Sequence, residues 1–374
     1  MHIPDGYLSP ETCAAGIAAM LPVWATAGRR VRKVVKSRYV PLLAIGAAYA
    51  FLVMMFNVPI PDGTTAHAVG AVLIAVLLGP WAAVIAVSTA LAIQALFFGD
   101  GGVLVFGVNC FNMGFVMPLV GYYAVYKPLT RTASLTSPRR AFAAALGGYV
   151  GICAAALCAG IELGIQPTFF HNAAGQPLYA PYHLSQSIPA MVLAHLTVAG
   201  GVEFALTFGI ITYLQRANLP IMRINHDAVP ETDADRVRAP MRLRWSHALI
   251  PIGLMAIATP LGLLAPGGAF GEDDPTADRH GFLEKNHLSA LPSGLRHYTG
   301  FWHHAIFDGY GFRNDRHPAL GYVVSAFVGT LVISLVLLAM FAVARFVQAR
   351  RGETLDDELI DLTDRDAAER TVEA

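Results

Sequence analysis

The chain has 374 residues, of which 55% are hydrophobic and 14% charged, and its formal net charge is +0. A soluble domain carries about 25% charged residues, so this composition, with a mean hydropathy of +0.50, excludes an ordinary soluble globule and places the chain in the membrane class. The neutral balance argues against nucleic acid as a partner, and the four cysteines (Cys13, Cys110, Cys153, Cys158) form no CxxC pair of the zinc or thioredoxin type.

A membrane span needs about 20 mostly apolar residues. Nine stretches are candidates: 11–28, 40–58, 66–79, 81–98, 103–125, 141–165, 186–214, 246–265 and 319–345. The third is short and lies between the turn sequences PDGTTAH and GPW, so it spans only with partners covering its ends. No secretory leader is expected, because Arg29 and Arg30 follow the first apolar run instead of preceding it. Lys and Arg concentrate in RRVRKVVKSR (29–38), in YKPLTRTASLTSPRR (126–140), between Arg216 and Arg244, and after Phe341. The segments 59–66, 99–102 and 166–185 contain neither. Basic loops stay cytoplasmic. The expected fold is an all-α integral membrane protein of about nine transmembrane helices, with its N-terminus outside and its C-terminus cytoplasmic.

The organisation follows. Residues 1–214 form a seven-helix membrane domain, and 215–245 form a polar cytoplasmic linker. Residues 246–348 form a two-helix module with a long outside loop, and 349–374 form a polar, acidic tail.

The chain opens MHIPDGYLSP. His2 is too large for the initiator methionine to be removed, so Met1 is expected to keep a free amine. That amine, the amide nitrogen of His2 and the His2 imidazole close fused chelate rings around one metal ion. Such an in-plane nitrogen set suits Ni(II), Cu(II) and Co(II). Pro4, Asp5 and Gly6 then turn the chain back. His67 is the candidate for the remaining planar position, since an ionisable residue at a membrane helix end is a functional candidate. In FGDGGVLVFGVNCFNMG (98–114), Asn109 and Asn112 are three residues apart and share a helix face. Amides there can orient a ligand imidazole from behind, and Gln94 can join them. His171 and His183 lie in an outside loop and His195 in the seventh span, while the histidines of the loop 266–318 (His280, His287, His297, His303, His304, His317) read either as solvated or as gathering metal before transfer. Glu162 and Glu203 pair with polar neighbours or relay protons. Ala14, Ala15, Ala18 and Ala19 allow close helix packing, within the chain or against another membrane subunit.

The chain has no GxxxxGK[ST] phosphate loop and no GxSxG or HExxH array, so it is not expected to be an enzyme. Asp62 and Asp100, the carboxylates nearest His67 in sequence, read as turn residues and not as a general base.

Three separated motifs, MHIPDGYLSP, PDGTTAHAVGAVLIAVLLGPWAAVI and QALFFGDGGVLVFGVNCFNMG, occur in the same order as in the CbiM/NikM family, which residues 1–214 resemble. These are the substrate-binding membrane components of energy-coupling factor transporters for cobalt and nickel. The resemblance implies square-planar binding of Co(II) or Ni(II) by Met1, His2 and His67, with Asn109 and Asn112 in support and no organic cofactor. It implies a transmembrane coupling protein and cytoplasmic ATPase subunits as partners, with membrane lipid around them, in the plasma (inner) membrane of a prokaryote. The C-terminal module resembles the accessory component CbiN/NikN. TPLGLLAPGGAFGED (259–273) stands where some relatives carry PDGLE, which is absent here. The alternative expectation is a proton-coupled secondary transporter for divalent metals, using Glu162 or Glu203 with His195.

Overall fold

Ser9 opens the first helix. Its hydroxyl accepts the N–H of Thr12 at 3.1 Å. Pro10 takes the first helical position and Glu11 places a negative charge in the first turn of α1 (Pro10–Val34). A hydroxyl cap, a proline and an early carboxylate each favour a helix N-terminus. The computed structural model describes residues 1–34, 40–60, 64–226, 229, 246–265, 268–272, 275, 278–312 and 316–350.

The chain continues through α2 (Val40–Met54) and a hairpin of β1 (Val58–Ile60) and β2 (Thr64–Ala66). The strands are antiparallel, with Val58 opposite Ala66. Next come α3 (Ala71–Leu78), α4 (Pro80–Phe98), α5 (Phe106–Leu129), α6 (Pro138–Phe169), α7 (Leu184–Ala217) and the short α8 (Leu219–Arg223). The C-terminal part holds α9 (Ser246–Leu264), α10 (Arg279–Lys285), α11 (Ser293–Tyr298) and α12 (Pro318–Arg350).

Among the described residues, six helices are long and apolar enough to cross a membrane: α4, α5, α6, α7, α9 and α12. Every expected span coincides with a helix, but three fall outside this set. α3 has only 8 residues. At 1.5 Å per residue that is about 12 Å, against about 30 Å of hydrocarbon. It is confined between Gly70 at φ 73° and Gly79 at φ 95°. α2 has 15 residues, and the 25 residues of α1 include Thr, Gly, Pro and Trp that dilute its apolarity. Most of the expected linker (227, 228 and 230–245), the tail beyond Arg350, and Asp62 lie outside the described residues.

α6 packs between α5 and α7, α3 inserts between α4 and α6, and α2 lies between α4 and α12. Every residue of α3 except Leu77 is buried, which its uniformly apolar sequence permits. α9 and α12 turn Leu254, Ile257, Leu331 and Leu335 outward. On a membrane helix such a face is matched to lipid.

Candidate metal centre

The first residues are folded into the protein. Met1, His2 and Ile3 are 2%, 4% and 1% exposed. The Asp5 carboxylate accepts the N–H groups of Val103, Leu104 and Val105 at 3.1, 2.9 and 3.3 Å. Burial pushes its pKa up, and these three backbone donors pull against that shift. Gly102 is required there, since a Cβ would lie 2.1 Å from Asp5 Oδ1. Gly6 completes the turn at φ +95°, and a Cβ on it would lie 2.9 Å from the Leu295 carbonyl of α11. The C-terminal part therefore covers the turn from the other side.

Asn109 grips the peptide at Ile3. Its Oδ1 accepts the Ile3 N–H at 2.9 Å and its Nδ2 donates to the Ile3 carbonyl at 3.0 Å. Gly102 also donates to that carbonyl, at 3.2 Å. Residue 3 is thus held at both backbone polar groups, which sets where Met1 and His2 project.

The Met1 amine lies 3.4 Å from His67 Nε2, and the rings of His2 and His67 are 4.9 Å apart. The His67 Nδ1–H faces the Ala68 carbonyl at 3.1 Å. Its Nε2 then carries the free lone pair, as a ligand imidazole requires. His67 sits between β2 and α3, outside the spanning helices. Burial first, then the terminal amine and His2, hold its imidazole well below the ordinary histidine value, so it stays neutral. Glu203 of α7 presents this loop: its carboxylate accepts the N–H of Val69 at 2.8 Å and of Gly70 at 3.0 Å.

A fourth group enters from the C-terminal part. Glu272 Oε1 is 2.9 Å from the Met1 amine. The ligand atoms of His2, His67 and Glu272 lie within 4.8 Å of one another, a spacing at which they could hold a metal ion. Sequence reasoning missed Glu272. It lies inside TPLGLLAPGGAFGED, but nothing local links that stretch to residue 1.

Asp100 Oδ1 faces His2 Nδ1 at 3.4 Å, while His2 Nε2 is buried without a hydrogen-bond partner. Gln94 reaches the site only through Asp100, donating to its Oδ2 at 3.2 Å. Asn112 is directed elsewhere, and its Nδ2 donates to Glu162 at 2.6 Å. His195 donates through Nδ1 to the Met191 carbonyl at 2.7 Å and leaves Nε2 buried and unpartnered. His171, His183, His280, His287, His297, His303, His304 and His317 are exposed. Among them, the rings of His303 and His304 lie 4.2 Å apart. Ala14, Ala15, Ala18 and Ala19 are exposed as well, so packing within this chain does not account for them.

Residues 2–220 match the CbiM family, described as the cobalt uptake substrate-specific transmembrane region. The chain is 45% identical over 342 residues to the fused nickel transport protein NikMN of Rhodobacter capsulatus, covering 89% of this chain and 95% of that one. It is 42% identical over 339 residues to the probable fused nickel transport protein LarMN of Lactiplantibacillus plantarum, covering 90% and 96%. A crystal structure of a transition metal transporter shares 51% identity at a TM-score of 0.55, covering 65% of this chain and 100% of that one. The chain therefore belongs to the CbiM family, carries a fused NikN-like C-terminal part, and is a multi-pass membrane protein.

Proposed function

We propose that this protein captures Ni(II) or Co(II) at its buried N-terminus and is the substrate-binding component of an ATP-driven energy-coupling factor importer. The observation that carries the reading is the convergence of the Met1 amine, His2 and His67, with Met1 N and His67 Nε2 3.4 Å apart. In the bound state the amine, the His2 amide nitrogen and His2 Nδ1 close two chelate rings, and His67 Nε2 fills the fourth planar position. Planar geometry in a tight pocket then selects among metals, because the intrinsic affinity order favours copper. The fused relatives are named as nickel transport proteins, which makes Ni(II) the first metal to test.

The chain has no nucleotide-binding motif, so energy comes from partners: a transmembrane coupling protein and cytoplasmic ATPases. The exposed alanines of α1 supply a surface on which another membrane helix can pack closely. We place the metal centre outside, the basic loops in the cytoplasm, and the chain in the plasma membrane of a prokaryote. Residues 1–214 form the capture domain, joined by 215–245 to the accessory module of 246–348, with 349–374 as a tail.

The test is calorimetry with Ni(II) and Co(II) on the full chain, with and without one extra residue before Met1. The extension keeps His2 but removes the amine from its chelate ring. Affinity is expected to fall by at least about 100-fold, by analogy with losses at metal sites whose supporting groups are removed. Unchanged binding overturns the reading.

A further inference from the structure

Glu272 ends a tight turn that is seated on the N-terminal domain. Its N–H donates to the Ala269 carbonyl at 2.9 Å, and Gly271 takes φ +77°. Positive φ at the residue just before the donor marks a type II turn, which glycine allows. A Cβ on Gly271 would lie 3.1 Å from Leu163 Cδ1 of α6. The Phe270 ring packs on Tyr182 with centroids 4.6 Å apart, and Tyr182 stacks on Tyr7 of the N-terminal turn at 6.2 Å. These contacts fix where the turn sits, and from there its last side chain reaches residue 1.

Glu272 Oε1 lies 2.9 Å from the Met1 amine nitrogen. Metal bonds of about 2.0–2.2 Å, as nitrogen and carboxylate ligands make, put two donors about 2.8–3.1 Å apart when they meet the ion at a right angle. The observed separation is therefore that of two ligands side by side on one ion. Glu272, His2 and His67 each offer a donor atom within 4.8 Å of the other two. In the planar set proposed above, an axial donor is adjacent to every nitrogen, so one oxygen can stand next to all of them. Asp100, the other carboxylate beside His2, does not join this set, and its Oδ2 is taken up by Gln94 and Tyr310. Charge points the same way. Ligands bind deprotonated, so the amide nitrogen brings one negative charge and the amine and imidazoles none. A divalent ion then leaves a net positive charge in a pocket where the Met1 side chain is 0% exposed. An unpaired buried charge is costly, and the Glu272 carboxylate is the anion already in contact with the amine.

We infer that Glu272 is a further metal ligand, an axial carboxylate that the C-terminal part places over the nitrogen plane of Met1, His2 and His67. The bound metal then joins the two fused parts directly. The inference rests on the capture reading proposed above and goes beyond it by adding an oxygen donor to the nitrogen set.

The experiment is Ni(II) calorimetry and Ni K-edge X-ray absorption on the full chain in detergent, comparing wild type, Glu272→Gln, Gly271→Ala and the one-residue N-terminal extension. Planar Ni(II) with open axial positions gives a resolved feature on the absorption edge, and an axial donor quenches it. The wild type is expected to show the quenched edge. Glu272→Gln, which keeps the shape of the side chain and removes its charge, should restore the planar feature and weaken Ni(II) about tenfold or more, as for other groups removed from around a metal. Gly271→Ala keeps the carboxylate and disturbs the turn that aims it, so it should change the edge in the same direction. A planar edge already present in the wild type overturns the inference even if Glu272→Gln binds more weakly, because the carboxylate then acts only as a charge partner of the amine. A quenched edge that neither variant alters also overturns it. Either result, with binding still lost on N-terminal extension, leaves the capture reading standing. Wild-type binding in the extended chain overturns both.

Discussion

Asn109 shows how much one side chain can decide. Its amide makes two hydrogen bonds to Ile3, at 2.9 and 3.0 Å, from 106 residues away in sequence. Asn109→Ala leaves the Ile3 N–H without this partner, while the Ile3 carbonyl keeps the Gly102 N–H, at a cost of about 1–3 kcal/mol for the unsatisfied donor. It also frees the residue from which the ligands project, so Ni(II) affinity should fall about 10- to 100-fold. Calorimetry read beside a thermal melt checks both. The sequence singled out Asn109, as an amide in an apolar run, and the fold brings it to Ile3, but the expected shared face with Asn112 is not found. The shared-face rule assumes an uninterrupted α-helix, and the chain enters a π-helical turn at Cys110. Asn112 meets Glu162 instead of the site. Glu203, a candidate proton carrier from sequence, is engaged by the backbone of Val69 and Gly70.

At the scale of elements, the crossing of α1 and α5 sets the distance between the N-terminal peptide and Asn109. Gly107 makes that crossing close, since a Cβ there would lie 2.4 Å from the Ile17 backbone nitrogen. A backbone atom cannot swing aside as a side-chain tip can. Gly107→Ala should force the helices apart, lower stability by about 1–3 kcal/mol and weaken Ni(II) binding. A lowered thermal midpoint with wild-type affinity would show that the crossing does not govern the site. Hydropathy located the helices well, because an apolar helix advertises itself residue by residue. It overstated α3, whose 8 residues, all buried except Leu77, are apolar because protein encloses them. Composition does not distinguish enclosure by protein from enclosure by lipid.

Across the whole molecule, the 27-residue stretch Pro138–Gly164 of α6 runs about 40 Å and ties the candidate metal centre to a second buried polar network. Beyond its C-terminal end, Gln166 accepts the Ser9 N–H at 3.0 Å. At its N-terminal end, the buried Arg140 donates to the Tyr126 hydroxyl at 2.9 Å, which meets His226 Nε2 at 2.8 Å. Burial, then the Arg140 charge, lowers the His226 pKa from 6.5 to about 4. The unfolded chain therefore takes up this proton first as pH falls. The contribution of His226 is constant above about pH 6.5 and is lost between there and about pH 4, at most about 1.4 kcal/mol per pH unit. The thermal midpoint should drop over that window in the wild type and drop less in His226→Gln. Parallel curves would remove His226 from the acid response.

The sequence by itself determined the membrane class and the approximate places of the helices, and it singled out Met1, His2, His67 and Asn109, which the fold brings together. Each of these is a local signal: apolar runs, a chelating dipeptide, a histidine beside a turn, an amide among aliphatics. Only the tertiary structure decided that Glu272 sits 2.9 Å from an amine 271 residues away and that the Tyr310 hydroxyl meets Asp100. It also decided that the alanine stripe of α1 faces away from the core. The Glu272 and Tyr310 contacts depend on how the two fused parts pack together. A contact of that range leaves no period or spacing in the chain, because only the packing of helices distant in sequence brings its atoms together.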